Sequence, residues 1–200
     1  MRYVLGVPDP DPIARFLDSR RRAVVAGAGF DGSAAVFATA TTDGAPSVRW
    51  VLVKEVSDDG FFVYTNYGSR KAVELDANPQ AALAMHWPEI DEQFRVEGPV
   101  QRASPERSDA YFAARPRESQ LGAWASPQSE PIESREVLET RLAEARARFE
   151  GREIPRPDGW GGYCLRPERV ERWVNREARL HDRWLWVRDG DRWKVRRLAP

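Results

Sequence analysis

Four short segments combine cations with hydroxyls or aromatic rings, and each has a pattern suited to holding an anion. In Gly68-Ser69-Arg70-Lys71, a capping serine would place two cations in the first turn of a helix. The helix dipole disfavours positive charge there by about 0.3–1 kcal/mol per residue. A bound phosphate reverses that sign, because free N–H groups at a helix N-terminus attract anions; two solvated side chains on an exposed turn satisfy the same pattern. In Arg49-Trp50-Val51-Leu52-Val53-Lys54, apolar residues surround both cations, so at least one points toward a covered face. Their spacing puts Arg49 and Lys54 on opposite faces of a regular strand: either one is exposed, or the strand bulges or ends near a site. In Arg179-Leu180-His181-Asp182-Arg183-Trp184, a strand would align Arg179, His181 and Arg183 on one face and Leu180 and Trp184 on the other. Such a row repels itself unless an anion or carboxylate lies between its members; an exposed strand face in an arginine-rich chain is the alternative. Tyr111, Arg115 and Ser119, spaced by four, bring hydroxyl, guanidinium and hydroxyl together as a cradle for one phosphate.

The bulk composition narrows what such sites serve. The chain has 200 residues, 42% of them hydrophobic, enough for one well-buried domain. Basic and acidic residues balance at 31 each, so no global field recruits nucleic acid. Only three of the basic residues are lysines, Lys54, Lys71 and Lys194, an imbalance that codon bias in a GC-rich genome produces. Where arginine is the default cation, a surviving lysine suggests a site that wants a compact point charge. A lone cysteine, Cys164, and two distant histidines, His86 and His181, exclude an internal disulfide and argue against a metal centre. No apolar run reaches the roughly 18–20 residues of a membrane helix, and residues 1–6 lack a signal-peptide core. A cytoplasmic protein is expected.

The elements that must position these segments follow from periodicity and turn signals. Asp11-Pro12 opens an amphipathic helix ending near Gly27. Strands are expected over 34–41, 47–56 and 61–65, with turns at Asp43-Gly44 and Asp59-Gly60. A helix from Ser69 stops before Asn78-Pro79, and strands follow over 81–87 and 94–101. Ser104-Pro105 starts a helix that ends near Arg115-Pro116, and residues 117–131, rich in Ser, Gln and Pro, read as a loop. Ser134 caps a helix up to Gly151; the tail returns to strands over 162–165, 170–174, 180–188 and 193–198. Strands in meander order with inserted helices predict an α+β, mainly β fold, an antiparallel sheet or small barrel rather than a doubly wound parallel sheet.

Taken together, the chain resembles the pyridoxamine 5'-phosphate oxidase family. The matching stretches are Arg49–Lys54, Tyr64-Thr65-Asn66-Tyr67-Gly68-Ser69-Arg70-Lys71, and Tyr111-Phe112 with Arg115-Pro116-Arg117. They continue with residues 119–126, Gln128-Ser129, Trp160-Gly161-Gly162-Tyr163, Arg179–Arg183 and the terminal Arg197-Leu198-Ala199-Pro200, in family order. The resemblance implies an FMN-binding split β-barrel spanning 1–200. Residues 1–10 would form a short N-terminal arm, and strands over 167–200 would complete the active site. It further implies a homodimer with two flavin sites at the subunit interface.

By motif match, FMN would be held by Arg49, Val51, Leu52, Lys54, Tyr64, Thr65, Arg70 and Lys71, completed by Gln93, Gln128, Ser129, Trp173 and Arg183. The substrate, a phosphorylated B6 vitamer, would place its phosphate on Lys54, Tyr111, Arg115 and Ser119. Arg179 and His181 would flank its ring as the catalytic pair. The implied reaction oxidises pyridoxamine or pyridoxine 5'-phosphate with molecular oxygen and releases hydrogen peroxide, with no metal and no nucleic-acid or membrane partner. Three departures bear on the ring end of the substrate site or its surroundings: Trp173-Val174-Asn175 where the family reads Trp-Gln-Gly, Glu92 where a basic residue is usual, and a short arm with only Arg2 and Tyr3 as remnants. A related flavoenzyme of phenazine type is therefore the second expectation, and a binding module that carries FMN or pyridoxal phosphate without turnover the third.

Overall fold

A computed structural model describes residues 10–200; Arg2 and Tyr3 lie outside them. Asp11 caps helix α1 (Pro12–Val25) by accepting from the Ile13 N–H at 2.8 Å, with Pro12 in the first turn where no N–H is required. The helix buries Ile13, Phe16 and Ala23. Phe16 sits among Phe61, Trp87 and Phe94, with ring centroids 4.9–5.4 Å away. Strands β1 (Ala34–Ala40) and β2 (Pro46–Leu52) pair antiparallel from Ala34↔Leu52 to Ala40↔Pro46. Alternation along β2 leaves Val48 and Trp50 outside and turns Ser47 and Arg49 inward.

The strand expected over 47–56 is broken, and the break resolves the Arg49–Lys54 dilemma. The Val53 N–H donates to the Ser33 carbonyl at 2.8 Å, while the next N–H, that of Lys54, donates to the Phe62 carbonyl at 3.0 Å. The chain thus passes from one sheet to the other between consecutive residues. It continues as β3 (Glu55–Ser57), paired with β4 (Gly60–Asn66). Lys54 is exposed at this corner, whereas Arg49 lies within the strand before it.

Helix α2 (Arg70–Ala77) leads into β5 (Gln80–Trp87) and the eleven-residue β6 (Glu92–Arg102). After α3 (Pro105–Ala113), α4 (Arg117–Ala125) and α5 (Arg135–Arg148), the chain adds β7 (Trp160–Leu165), β8 (Arg169–Val174), β9 (Asp182–Asp189) and β10 (Arg192–Leu198). All pairings are antiparallel, in the order β10-β9-β8-β6-β5-β1-β2 for one path and β3-β4-β7-β6 for the other. β6 is the second corner. Residues 92–97 pair with β8, and Val100–Arg102 pair with β7. Gly98 sits at this fork, where a Cβ would lie 2.0 Å from the Arg166 carbonyl oxygen; only glycine admits that crossing. The two corners curl the strands into a split barrel around Phe37, Val53, Phe61, Leu83, Phe94 and Val96. A second apolar cluster joins the three inserted helices to β7 through Phe112, Leu121, Phe149 and Trp160.

Two further expectations change. Residues 117–125 form α4 rather than a loop, anchored by buried Leu121. Gln120 on this helix donates its amide to the carbonyls of Phe112, Ala113 and Arg115 at 3.0–3.1 Å, satisfying the end of α3. Residues 177–179 form a short 3₁₀ turn, and β9 starts at Asp182. Arg179, His181 and Arg183 are therefore not the face of one strand.

Candidate active site

A cleft of about 620 Å³ opens between the β2–β3 corner, β4 and the start of α2 on one side and α3–α4 on the other. That is the size of an ordinary small-molecule or cofactor site. Val51, Leu52 and Lys54 reach it from the corner, Tyr64 and Thr65 from β4, and Lys71 from α2. Tyr111, Arg115 and Ser119 line it from the helices, with Gln128 from the following loop. Three distant stretches of sequence thus meet in one place.

Ser69 occupies the N-cap position of α2, yet its hydroxyl does not accept from a helix N–H. It accepts from Lys71 Nζ at 3.1 Å, as does Thr65 Oγ1 at 3.0 Å, with Gln128 Oε1 at 3.4 Å. These partners are neutral oxygens. Lys71 is 8% exposed, and burial, aided by the charge of Arg49, pulls its pKa down to about 8. Its charge is under-compensated, which is the condition of a waiting anion seat.

The opposite wall is aromatic. Tyr64 and Tyr111 stack at 3.8 Å between centroids, with Trp160 parallel to Tyr64 at 5.8 Å. Arg115 lies over the Trp160 ring at 4.7 Å and near Phe112 at 5.6 Å. Burial pushes the Tyr64 phenol up to about 12, with the charge of Glu55 adding to it, and lowers the Arg115 guanidinium. Among the described residues, Tyr64 OH and Arg115 Nη1 are both buried without a hydrogen-bond partner. Buried polar atoms are normally satisfied, so these orphan donors mark where ligand atoms belong. The donor set suits two anionic groups such as phosphates, one at Lys71 and one at Arg115.

Arg49 and Arg70 stand behind this cleft rather than in its lining. Arg49 donates to the Phe37 carbonyl at 3.0 Å, to Thr39 Oγ1 at 2.6 Å and to Ser47 Oγ, and it approaches Glu74 at 3.3 Å. Arg70 donates to the other Glu74 oxygen at 2.8 Å. Burial works against the Glu74 charge, but hydrogen bonds from Ser47, Thr39 and Arg70 and the charge of Arg49 outweigh it and hold the carboxyl at about 2. Glu74 is not among the residues expected from the sequence, although its i,i+4 spacing from Arg70 carries the signal. Trp160 belongs to the Trp160-Gly161-Gly162-Tyr163 motif, and its place in the cleft wall is set by tertiary packing.

The remaining expected residues form a second group. Gln93, Trp173 and Arg183 are direct neighbours across β6, β8 and β9. The Trp173 ring contacts His181, with centroids 4.5 Å apart. Arg183 donates to Glu171 at 2.8 Å and to the Ala199 carbonyl at 2.9 Å. In sheet order β8 and β9 are separated from β2 by β6, β5 and β1, so none of these residues lines the cleft. Ser129 follows Gln128 with a left-handed φ of 74°. The expected site is therefore divided on one chain.

A sequence model described as pyridoxamine 5'-phosphate oxidase matches residues 13–149. The chain belongs to the pyridoxamine 5'-phosphate oxidase family. A second model of that family, described as the pyridoxine 5'-phosphate oxidase C-terminal dimerisation region, matches residues 160–200, which include the Trp173–Arg183 group. The pyridoxine/pyridoxamine 5'-phosphate oxidase of Rubrobacter xylanophilus is 58% identical over 96% of this chain and 88% of its own length. That of Anaeromyxobacter dehalogenans is 54% identical over 96% of both. Among solved structures, PhzG from Burkholderia lata, in complex with tetrahydrophenazine-1-carboxylic acid, superposes with a TM-score of 0.91 at 32% identity. That match covers 96% of this chain and 94% of PhzG. No described helix is long and apolar enough to cross a membrane.

Proposed function

We propose that this family member is a cytoplasmic, FMN-dependent oxidase of pyridoxamine 5'-phosphate and pyridoxine 5'-phosphate that works as a homodimer. One observation carries the reading: the cleft holds two desolvated cations, Lys71 and Arg115, on different elements and without a carboxylate partner among the described residues. Two anion seats beside a stacked aromatic wall suit a phosphorylated cofactor and a phosphorylated substrate. Lys71, Thr65 and Gln128 hold the flavin phosphate, backed by Arg49 and Arg70 through Glu74 and flanked by Ser129. Val51, Leu52 and Tyr64 border the flavin. Tyr111, Arg115 and Ser119 hold the substrate phosphate, and Lys54 stands between the two.

FMN, when bound, would supply the redox chemistry: two-electron oxidation of the substrate at its C4' carbon, balanced by reduction of molecular oxygen to hydrogen peroxide. The chain fixes the reacting carbon and excludes water from the pocket. Gln93, Trp173 and Arg183, with Arg179 and His181 at the substrate ring, complete the site from a second copy. The division of the expected site and the family description of residues 160–200 as a dimerisation region support that arrangement.

The likeness to PhzG favours a second reading, oxidation of an unphosphorylated phenazine-type acid. Peroxide release separates the two. Losing the contacts of one phosphate, at about 1.5–3 kcal/mol for each hydrogen bond to a charged group, should make unphosphorylated pyridoxamine a poorer substrate than pyridoxamine 5'-phosphate by about 10²-fold or more. Equal, slow rates on both would favour the phenazine-type reading. A colourless protein that ignores added FMN would rule out both.

A further inference from the structure

The segment between β8 and β9 carries Arg179 and His181 on an unusual stretch of backbone. Ala178 and Arg179 take φ of 53° and 60°, two successive non-glycine residues in the left-handed region. Side-chain-bearing residues stay there only where their surroundings over-determine the conformation. The bracing contacts come from both sides. Arg176 Nε donates to Asp182 Oδ2 at 2.7 Å, and Arg197 on β10 donates to the other oxygen of Asp182. The Asn175 N–H donates to the Asp91 carbonyl at 2.9 Å. Within this brace the Arg176 backbone N–H donates to His181 Nδ1 at 3.2 Å, and the imidazole packs on Trp173. A ring nitrogen that accepts a hydrogen bond carries no proton, so neutral His181 has its proton on Nε2.

We propose that Arg176 is a positioning residue for His181. Its ion pair with Asp182 pins its backbone N–H against Nδ1, so that His181 meets the substrate as the Nε2–H tautomer and donates to an acceptor atom on it. The inference rests on the oxidase reading for its consequence in turnover, but the tautomer itself does not depend on turnover. Asn175 ends the stretch that departs from the family pattern, and Arg176 directly follows it.

The chain has only two histidines, so ring-¹⁵N-labelled protein with its flavin bound gives two sets of imidazole signals. His86, exposed on β5, is assigned by His86→Asn. In buffer alkaline enough for neutral imidazole, His181 should show a protonated Nε2 and an acceptor Nδ1. In Arg176→Ala the two tautomers should mix, and kcat should fall about tenfold or more, since small losses of alignment cost that much, while flavin retention is unchanged. Arg176→Lys, which keeps a cation for Asp182, should restore the single tautomer and most of the rate. A protonated Nδ1 in the wild-type protein would overturn the proposal, as would an Arg176→Ala spectrum identical to wild type. Failure on every B6 vitamer with the expected tautomer intact would instead count against the oxidase reading.

Discussion

Two clusters of cations in this arginine-rich chain have opposite electrostatic designs. Beneath α1, buried Glu92 takes both Nε and Nη2 of Arg172 at 2.9 and 2.6 Å, Arg22 at 2.6 Å and the Ser19 hydroxyl at 2.7 Å. In the cleft, among the described residues, buried Lys71 has only neutral oxygens and half-buried Arg115 has ring faces and an unpartnered Nη1. The first cluster joins a helix to a sheet. The second is poised for something absent from the chain. With 28 arginines, the position of a cation says little about function; the identity of its partner says much more.

The largest effect that tests this contrast should come from Glu92→Gln. Removing one charge of a buried pair leaves the others uncompensated, and a loss of about 3 kcal/mol in unfolding free energy is expected by chemical denaturation at fixed protein concentration, with flavin affinity of the surviving folded protein little changed. A loss below about 1 kcal/mol would mean that the cluster is not a structural clamp. Lys71→Met should behave in the reverse way. Flavin-free protein should be as stable as wild type or more so, because a desolvated charge is gone. FMN affinity, followed by flavin fluorescence, should fall about 10- to 100-fold for the lost charge-assisted contact. If Lys71→Met destabilised the flavin-free chain as Glu92→Gln does, the two clusters would be of one kind.

Much of this arrangement was legible in the sequence wherever the signal is local. Asp11-Pro12 announced α1, and the spacing of Tyr111, Arg115 and Ser119 announced three residues that do line one cleft. Helix α4 was hidden because its polar residues mimic a loop; Gln120 points inward to cap α3, which composition cannot reveal. The supposed row of Arg179, His181 and Arg183 failed because two left-handed residues precede β9, and neither Ala178 nor Arg179 is of a type that signals them. The partners of Glu92 lie 70 to 80 residues away in sequence. Which cations are neutralised is therefore a tertiary fact, although the cations themselves could be named in advance.

Titration offers the finest test of the contrast. Burial opposes the Glu92 charge, but Arg172, Arg22 and Ser19 outweigh it and hold the carboxyl at about 2, below the ordinary 4.5. Its stabilising contribution is therefore complete above about pH 4.5 and lost as pH falls toward 2. Lys71 has the other sign. Its folded pKa, about 8, lies below the ordinary 10.5, so the unfolded chain binds more protons across that window and the penalty of the buried charge is relieved as pH rises. Between pH 8 and 9 the stability of flavin-free wild type should climb relative to Lys71→Met by about 1 kcal/mol, inside the limit of about 1.4 kcal/mol that one proton sets per pH unit. The Glu92→Gln variant should run parallel to wild type over the same range. Denaturation midpoints of the three flavin-free proteins at closely spaced pH values decide it. A flat difference between wild type and Lys71→Met would mean that the lysine is solvated when flavin is absent and that the cleft does not hold its charge in waiting.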